Sequence, residues 1–332
     1  MRRTLTAALV ATLMAGAGTP AEAYLKLGAR AGGRTVTLRW GSFPVRYFVT
    51  DRSGGGISAP QLRDAITRGF ASWEAVETAA VSSEFVGFTG APPISGDGQT
   101  TLGFANRPDL ERVLGATTFF LDDVNGEVIE SDIFFNATFD WSVAAGGDGT
   151  RFDVESIAVH EIGHLLGLAH SALGETEIRP GGRRVLGAET VMFPVAFSAG
   201  TTVGRSLRAD DIAGISDVYP AGGFRDDTGS VSGRVTKGGR GVIGAHVIAF
   251  NPRTGRLVSG FSLNDNGAFT ISGLEPGAHV LRVEPLDDGD IESFFEASLG
   301  VDVDFRPTFH DRLVGVPGGG SATGVVIAVQ AK

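Results

Sequence analysis

His160, Glu161, His164 and His170 stand in one eleven-residue run, His160-Glu161-Ile162-Gly163-His164-Leu165-Leu166-Gly167-Leu168-Ala169-His170. These residue types at this spacing can hold a zinc ion and work a water molecule beside it. On a helix, side chains four apart lie on one face about a turn from each other. His160 and His164 can therefore aim ring nitrogens at one ion, while Glu161 projects from a neighbouring direction toward water on that ion. Gly167 can end the helix in a left-handed conformation that residues with a Cβ resist, which swings His170 back toward the metal. Three neutral imidazoles leave one zinc position open, the mark of a catalytic rather than a structural site, and zinc there lowers the pKa of bound water to about 7. Glu161 is then the general base for attack of that water on a polarised carbonyl. Two histidines on an amphipathic helix are often partly buried residues satisfied by hydrogen bonds; the longer pattern of five specified positions points to zinc-dependent peptide hydrolysis.

Those side chains need a helix to present them and a frame to hold it. Residues 152–159 lead into the run with helical apolar spacing, taken up by Ile157, Leu165 and Leu168, and Asp153 is the expected N-cap with Ser156 as second choice. Upstream, residues 35–38 and 45–49 read as strands. Ser58-Ala59-Pro60-Gln61 then starts a helix carrying Leu62, Ile66, Phe70 and Trp73 on one side, a core stripe rather than a ligand surface. Residues 114–121 and 127–136 read as two strands around Asp122-Asp123-Val124-Asn125-Gly126, where Asn125-Gly126 signals a hairpin. The acids at that turn are a candidate calcium site, although a solvated hairpin tip accounts for them better.

The histidine run followed by a methionine turn resembles the metzincin signature. Met192, in Thr190-Val191-Met192-Phe193-Pro194, stands some twenty residues after His170, where that group has its methionine beneath the metal. Ser171, directly after the third histidine, resembles the matrixin branch, and the stretch from Leu207 to Tyr219 with its paired Asp210 and Asp211 is similar to the matrixin C-terminal helix. The resemblance implies an α+β catalytic domain, a twisted mixed sheet with an active-site helix and a C-terminal helix. It implies zinc on His160, His164 and His170, with Glu161 as base and then proton donor to the leaving amine. Met192, Asp210 and Asp211 would be structural support, one aspartate bonding the methionine turn. It also implies that the first hairpin strand rims the cleft, where an extended substrate adds itself by backbone hydrogen bonds. Leu114, Gly115 and Ala116 are then substrate contacts, and Phe193 and Pro194 line the pocket for the residue after the scissile bond.

Three departures from that pattern bear on the site. Many matrixins hold a second, structural zinc on additional histidines, but the others here are His246, His279 and His310, all beyond the catalytic region, so one zinc is expected. The tyrosine usual after the methionine-turn proline is replaced by Val195, Ala196 and Phe197. The glycine- and arginine-rich insert 174–188 reads as a mobile loop beside the pocket. Cysteine is absent, which removes both disulfides and the thiol latency of matrixin zymogens, and leaves no lipid-anchor cysteine.

With 332 residues the chain can hold two domains, and its net charge of −10 argues against nucleic acid or an anionic membrane as partner. Arg2 and Arg3, an apolar run from Leu5 to Ala17 too short to span a bilayer, and Ala21-Glu22-Ala23 read as a secretory signal over residues 1–23. The expected protein is therefore exported, to the extracellular space or the periplasm, with no integral membrane segment. The catalytic domain is expected over 24–220 and a linker over 221–229. Over 230–332, short runs separated by Gly, Pro, Asn and Asp predict an antiparallel β-sandwich. Gly229-Ser230-Val231-Ser232-Gly233-Arg234-Val235 and the stretch from Asn266 to Gly277 resemble the carboxypeptidase regulatory-like domain, a transthyretin-like sandwich. Residues 287–312 would be an insertion in it, and the domain a contact for cell surface or matrix. A protein or peptide is the expected substrate. The alternative is a secreted binding or adhesion protein that keeps the metzincin scaffold but cleaves little, against which an intact Glu161 argues.

Overall fold

The computed structural model describes residues 26–31, 34–94, 96–122, 125–180, 182–296 and 299–332, so the expected signal segment lies outside the described residues. The first half is organised around a six-stranded mixed sheet. Its strands are β1 (Arg39–Trp40), β2 (Val45–Thr50), β3 (Ser83–Thr89), β4 (Thr100–Ala105), β5 (Gly115–Leu121) and β6 (Glu127–Asn136). The order is β1-β6-β4-β2-β3 with parallel pairings, and β5 runs antiparallel to β6 alone. Gly126 at the β5–β6 turn has φ 76°, the left-handed conformation that Asn-Gly hairpins require. Asp123 and Val124 of that turn lie outside the described residues.

Helix α1 (Ala59–Glu74) starts where Gln61 Oε1 accepts the Ser58 N–H at 3.0 Å, and buries Leu62, Ile66, Phe70 and Trp73, all at three- or four-residue steps. Gly69 in that stripe lets α1 lie against α2 (Val154–Leu165): a Cβ there would sit 3.0 Å from Ile162 Cδ1. Trp73 Nε1 donates to Val159 O at 2.9 Å, which ties the two helices through a buried hydrogen bond. One core joins these helices to Val49, Leu102, Ile133 and Phe135 of the sheet. Helix α3 (Ala209–Val218) closes this half, with Ile215 and Val218 in the same core.

Glu130 on β6 is an exception to apolar burial in this sheet. It is 1% exposed; its Oε2 accepts the Gly98 N–H at 2.5 Å while Oε1 has no partner among the described residues. Burial pushes its carboxyl up from the ordinary 4.5 to about 7. An acid raised in the folded state gives stability that is complete below the unfolded value and lost as pH rises through the folded one. Glu130→Gln keeps an acceptor for Gly98 but cannot ionise. Its urea-unfolding free energy should overtake the parent's as pH rises from 5 to 8, by on the order of 1 kcal/mol at the upper end. An advantage of the same size at both pH values would reject the assignment.

The insert 174–188 is not a loop. It forms an antiparallel hairpin of β7 (Gly174–Arg179) and β8 (Gly182–Ala188), in which Thr176, Ile178, Arg183 and Val185 carry a strand alternation that the glycines and arginines hid. The 221–229 segment is likewise more than a linker: Phe224–Asp227 make one helical turn and Phe224 is buried.

The second half has two sheets. Strands β9 (Gly229–Lys237), β10 (Arg240–Gly241), β13 (Ala268–Leu274) and β17 (Ser321–Val329) form a four-stranded sheet. The other, five-stranded, holds β11 (His246–Phe250), β12 (Leu257–Phe261), β14 (Gly277–Glu284), β15 (Thr308–Phe309) and β16 (Val314–Val316). Inward residues of both, among them Val231, Ile271, Val247, Leu281 and Ile327, share one core. The expectation of purely antiparallel pairing is corrected at one edge, where β17 runs parallel to β9 because the chain crosses over before its last strand. Among the described residues no helix is long and apolar enough to cross a membrane.

Candidate metal and catalytic site

Helix α2 carries the first two histidines. Asp153 caps it, accepting the Ser156 N–H at 2.9 Å, as its position before the apolar run predicts, and Arg205 pairs with that cap at 2.6 Å. The regular helix closes after Leu165, and Gly167 follows with φ 98°. Its N–H donates to His164 O at 2.7 Å, and a Cβ there would lie 2.4 Å from Leu38 O. Only a glycine turns the chain this sharply against that carbonyl, and the turn brings His170 back over the helix.

The three imidazoles converge so that one ring nitrogen of each lies within 4.8 Å of the others. Their opposite nitrogens are all taken by carbonyls: His160 Nδ1 by Val191 O at 2.7 Å, His164 Nδ1 by Leu168 O at 2.8 Å, and His170 Nδ1 by Ser293 O at 2.6 Å. A carbonyl only accepts, so each Nδ1 carries the hydrogen and each Nε2 presents a lone pair. His164 Nε2 and His170 Nε2 face each other at 3.2 Å. Lone pairs meeting without a proton are what a cation resolves, and the N3 donor set suits zinc. Burial holds all three rings neutral, lowering His160, His164 well below the usual range, and His170 to about 3, with mutual repulsion adding to the last two.

Glu161 points at the same space without joining the triad. Its Oε2 accepts from Thr117 Oγ1 at 2.8 Å. Burial pushes its carboxyl up to about 7, with the Thr117 hydrogen bond pulling the other way. A carboxyl group so placed can exchange a proton near neutrality. Gly115 is what lets β5 come this close: a Cβ there would stand 3.2 Å from Glu161 Oε1 and 3.1 Å from Phe134 O. Thr117 was not singled out by sequence, although strand alternation puts it on the face of Gly115.

A cleft of about 590 Å³ opens over these groups. Leu114, Gly115 and Ala116 line one wall, and Phe193, Pro194, Val195 and Phe197 the other. Among the described residues β5 pairs only with β6, so its outer edge faces the cleft with backbone groups available to an extended chain.

Beneath the triad, Met192 is buried against Gly163, where a Cβ would come 2.3 Å from its Sδ. The turn that carries it hangs on Asp211, whose carboxylate accepts Thr190 Oγ1 and the Val191 N–H, the latter at 3.0 Å. Asp210 does different work. It accepts Ser171 Oγ at 2.6 Å and, from β12 in the second half, the Ser259 N–H at 2.7 Å. Asp210 is thus a joint between the two halves. His246, His279 and His310 lie elsewhere, on Glu284, Gly277 O and Arg312 O respectively. Among the described residues His160, His164 and His170 form the one cluster of three or more such side chains able to share an ion.

A mixed sheet whose edge strand rims a cleft, over a three-histidine helix with a methionine turn below it, is the α+β arrangement of metzincins. The family model for Matrixin matches residues 39–220, more than half of the chain, and the chain belongs to the matrixin family, which is zinc-dependent. It is 34% identical over 102 residues to Metalloendoproteinase 5-MMP of Arabidopsis thaliana, 29% of this chain and 24% of that protein. With Metalloendoproteinase 2-MMP of Arabidopsis thaliana it shares 28% identity over 175 residues, 48% of this chain and 38% of that protein. With Metalloendoproteinase 1 of Glycine max it shares 38% over 91 residues, 26% and 24% of the two chains. The matched stretches thus cover between 24% and 38% of these relatives' own lengths.

Proposed function

We propose that this protein is a secreted zinc-dependent endopeptidase. The observation that carries the reading is the convergence of three imidazole Nε2 lone pairs, each fixed by a carbonyl on its Nδ1, beside the buried Glu161 carboxylate. His160, His164 and His170 would hold one zinc, with Met192 and Asp211 supporting them. Bound there, zinc would supply Lewis-acid polarisation of the scissile carbonyl and would acidify a bound water. An extended peptide adds to the outer edge of β5 at Leu114, Gly115 and Ala116, with its next residue against Phe193 and Pro194. Glu161 takes the proton of the attacking water and then hands it to the leaving amine, so the amide bond breaks without releasing an amide anion. The relatives' names as metalloendoproteinases support the same reaction class.

Residues 1–23 would be the export signal, 24–220 the peptidase domain, 221–229 its connection, and 230–332 a carboxypeptidase regulatory-like β-sandwich that touches cell surface or matrix. Purified protein should contain about one zinc per chain and digest casein or gelatin. Chelation should stop that digestion and added zinc restore it. Full zinc occupancy without cleavage of any peptide in a mixed library would favour the binding-protein alternative. Stoichiometric zinc after replacement of all three histidines would overturn the site.

A further inference from the structure

We propose that the segment 287–296, an insertion between β14 and β15 of the second half, is a positioning part of the metal centre, its Ser293 carbonyl holding the third histidine in the ligating tautomer. The inference rests on the zinc reading above.

His160 and His164 receive their carbonyls from Val191 and Leu168, within the half that carries them. His170 receives its carbonyl from a residue 123 positions away in the other half. The difference matters because His170 lies past the helix end, where α2 no longer dictates its direction. Without an acceptor on Nδ1 the ring could rotate or take the other tautomer, and in either case withdraw the Nε2 lone pair.

The carbonyl is itself held firmly. Residues 291–293 form a helical turn in which the Ser293 N–H donates to Asp290 O and the Phe294 N–H to Ile291 O, both at 2.9 Å. Phe294 then sets its ring edge-on to His170, centroids 6.3 Å apart, and packs on Phe261 at 5.9 Å. Phe294 and Phe295 are buried in a cluster that joins Phe261 and Leu286 of the second half to Phe119, Ala169 and Ala172 of the first. Ala169 and Ala172 flank His170 in the chain. The β7–β8 hairpin clamps the other end of the segment, Thr176 N–H donating to Asp288 Oδ1 at 2.6 Å and Arg183 to Asp287 O at 2.8 Å. An apolar anchor, a hairpin clamp and the Asp210–Ser259 joint thus fix one carbonyl over one imidazole.

The experiment uses the full chain and reads zinc affinity by competition with a chelating dye. Ser293→Pro removes the N–H that closes the turn onto Asp290 O and disfavours the helical conformation of the residue before it, while leaving both phenylalanines in place. It should weaken zinc binding about 10- to 100-fold, the usual effect of losing a ligand's supporting hydrogen bond. Phe294→Ala should do the same and Phe294→Leu should recover most of the loss. Phe309→Ala, at a side chain 62% exposed on β15, should bind zinc like the parent. The cobalt-substituted Ser293→Pro variant should also show altered ligand-field bands. Native thermal unfolding together with parental zinc affinity in Ser293→Pro and Phe294→Ala would overturn the proposal, and so would parental affinity in whichever of those two variants folds. Because the readout is binding, a parent that holds zinc but cleaves nothing would defeat the peptidase reading and leave this inference standing.

Discussion

Glu161→Gln should bind zinc as the parent does and cleave peptides about 10²- to 10⁴-fold more slowly, the range expected when a general base is removed. The three converging nitrogens come from His160, His164 and His170, and Glu161 is outside that set. Its carboxylate is held by Thr117 on one oxygen and stands beside Gly115 on the other. Glutamine keeps the shape and the acceptor for Thr117, but it has no basic oxygen that can carry a proton from water to amine. The loss should therefore fall on kcat, with KM for a quenched fluorescent peptide little changed. Metal content by atomic absorption, run on the same preparation, separates this outcome from loss of the centre. Near-parental kcat with full zinc would remove Glu161 from its role as base.

The parts of this site that are local in sequence were legible there, because a helix and a tight turn translate spacing directly into geometry. Asp153 as cap, Gly167 as terminator, the histidine triad and the Asn125-Gly126 hairpin all follow from residues within a few positions of one another. Asp210 and Asp211 were legible only through family resemblance. Their division of labour, Asp211 to the methionine turn and Asp210 to Ser171 and Ser259, needs the tertiary arrangement. The β7–β8 hairpin was hidden because glycine and arginine weaken a strand signal, and its alternation is stabilised by a partner strand rather than by propensity. Thr117 was within reach, since it shares a strand face with Gly115. Ser293 was not: it acts through a backbone carbonyl, which any residue possesses, so no side-chain pattern could mark it.

Gly167→Ala should cost at least about 2 kcal/mol of stability, since a residue with a Cβ is strained at this backbone angle by about 1–3 kcal/mol before any clash is counted. Here φ is 98°, and the added carbon would lie 2.4 Å from the Leu38 carbonyl oxygen. That carbonyl cannot easily give way. Leu38 donates its N–H to Leu27 O at 2.8 Å, and Leu27 in turn donates to Gly167 O at 2.9 Å, so the three residues brace one another. Relief must come from the 166–170 turn itself, which moves His170 away from the two helical histidines. Stability and zinc affinity should therefore fall together in Gly167→Ala, as read by urea unfolding and dye competition. Gly187→Ala is the matched comparison: among the described residues nothing lies within 4 Å of a Cβ there, so both quantities should stay near the parent's. If Gly167→Ala lost stability but kept parental zinc affinity, His170 would be placed by Ser293 and Phe294 strongly enough to override the turn that delivers it. The two variants Gly167→Ala and Ser293→Pro thus weigh the local and the distant restraint on one ligand. Their combined loss should exceed the sum of the separate losses if each restraint can partly compensate for the other.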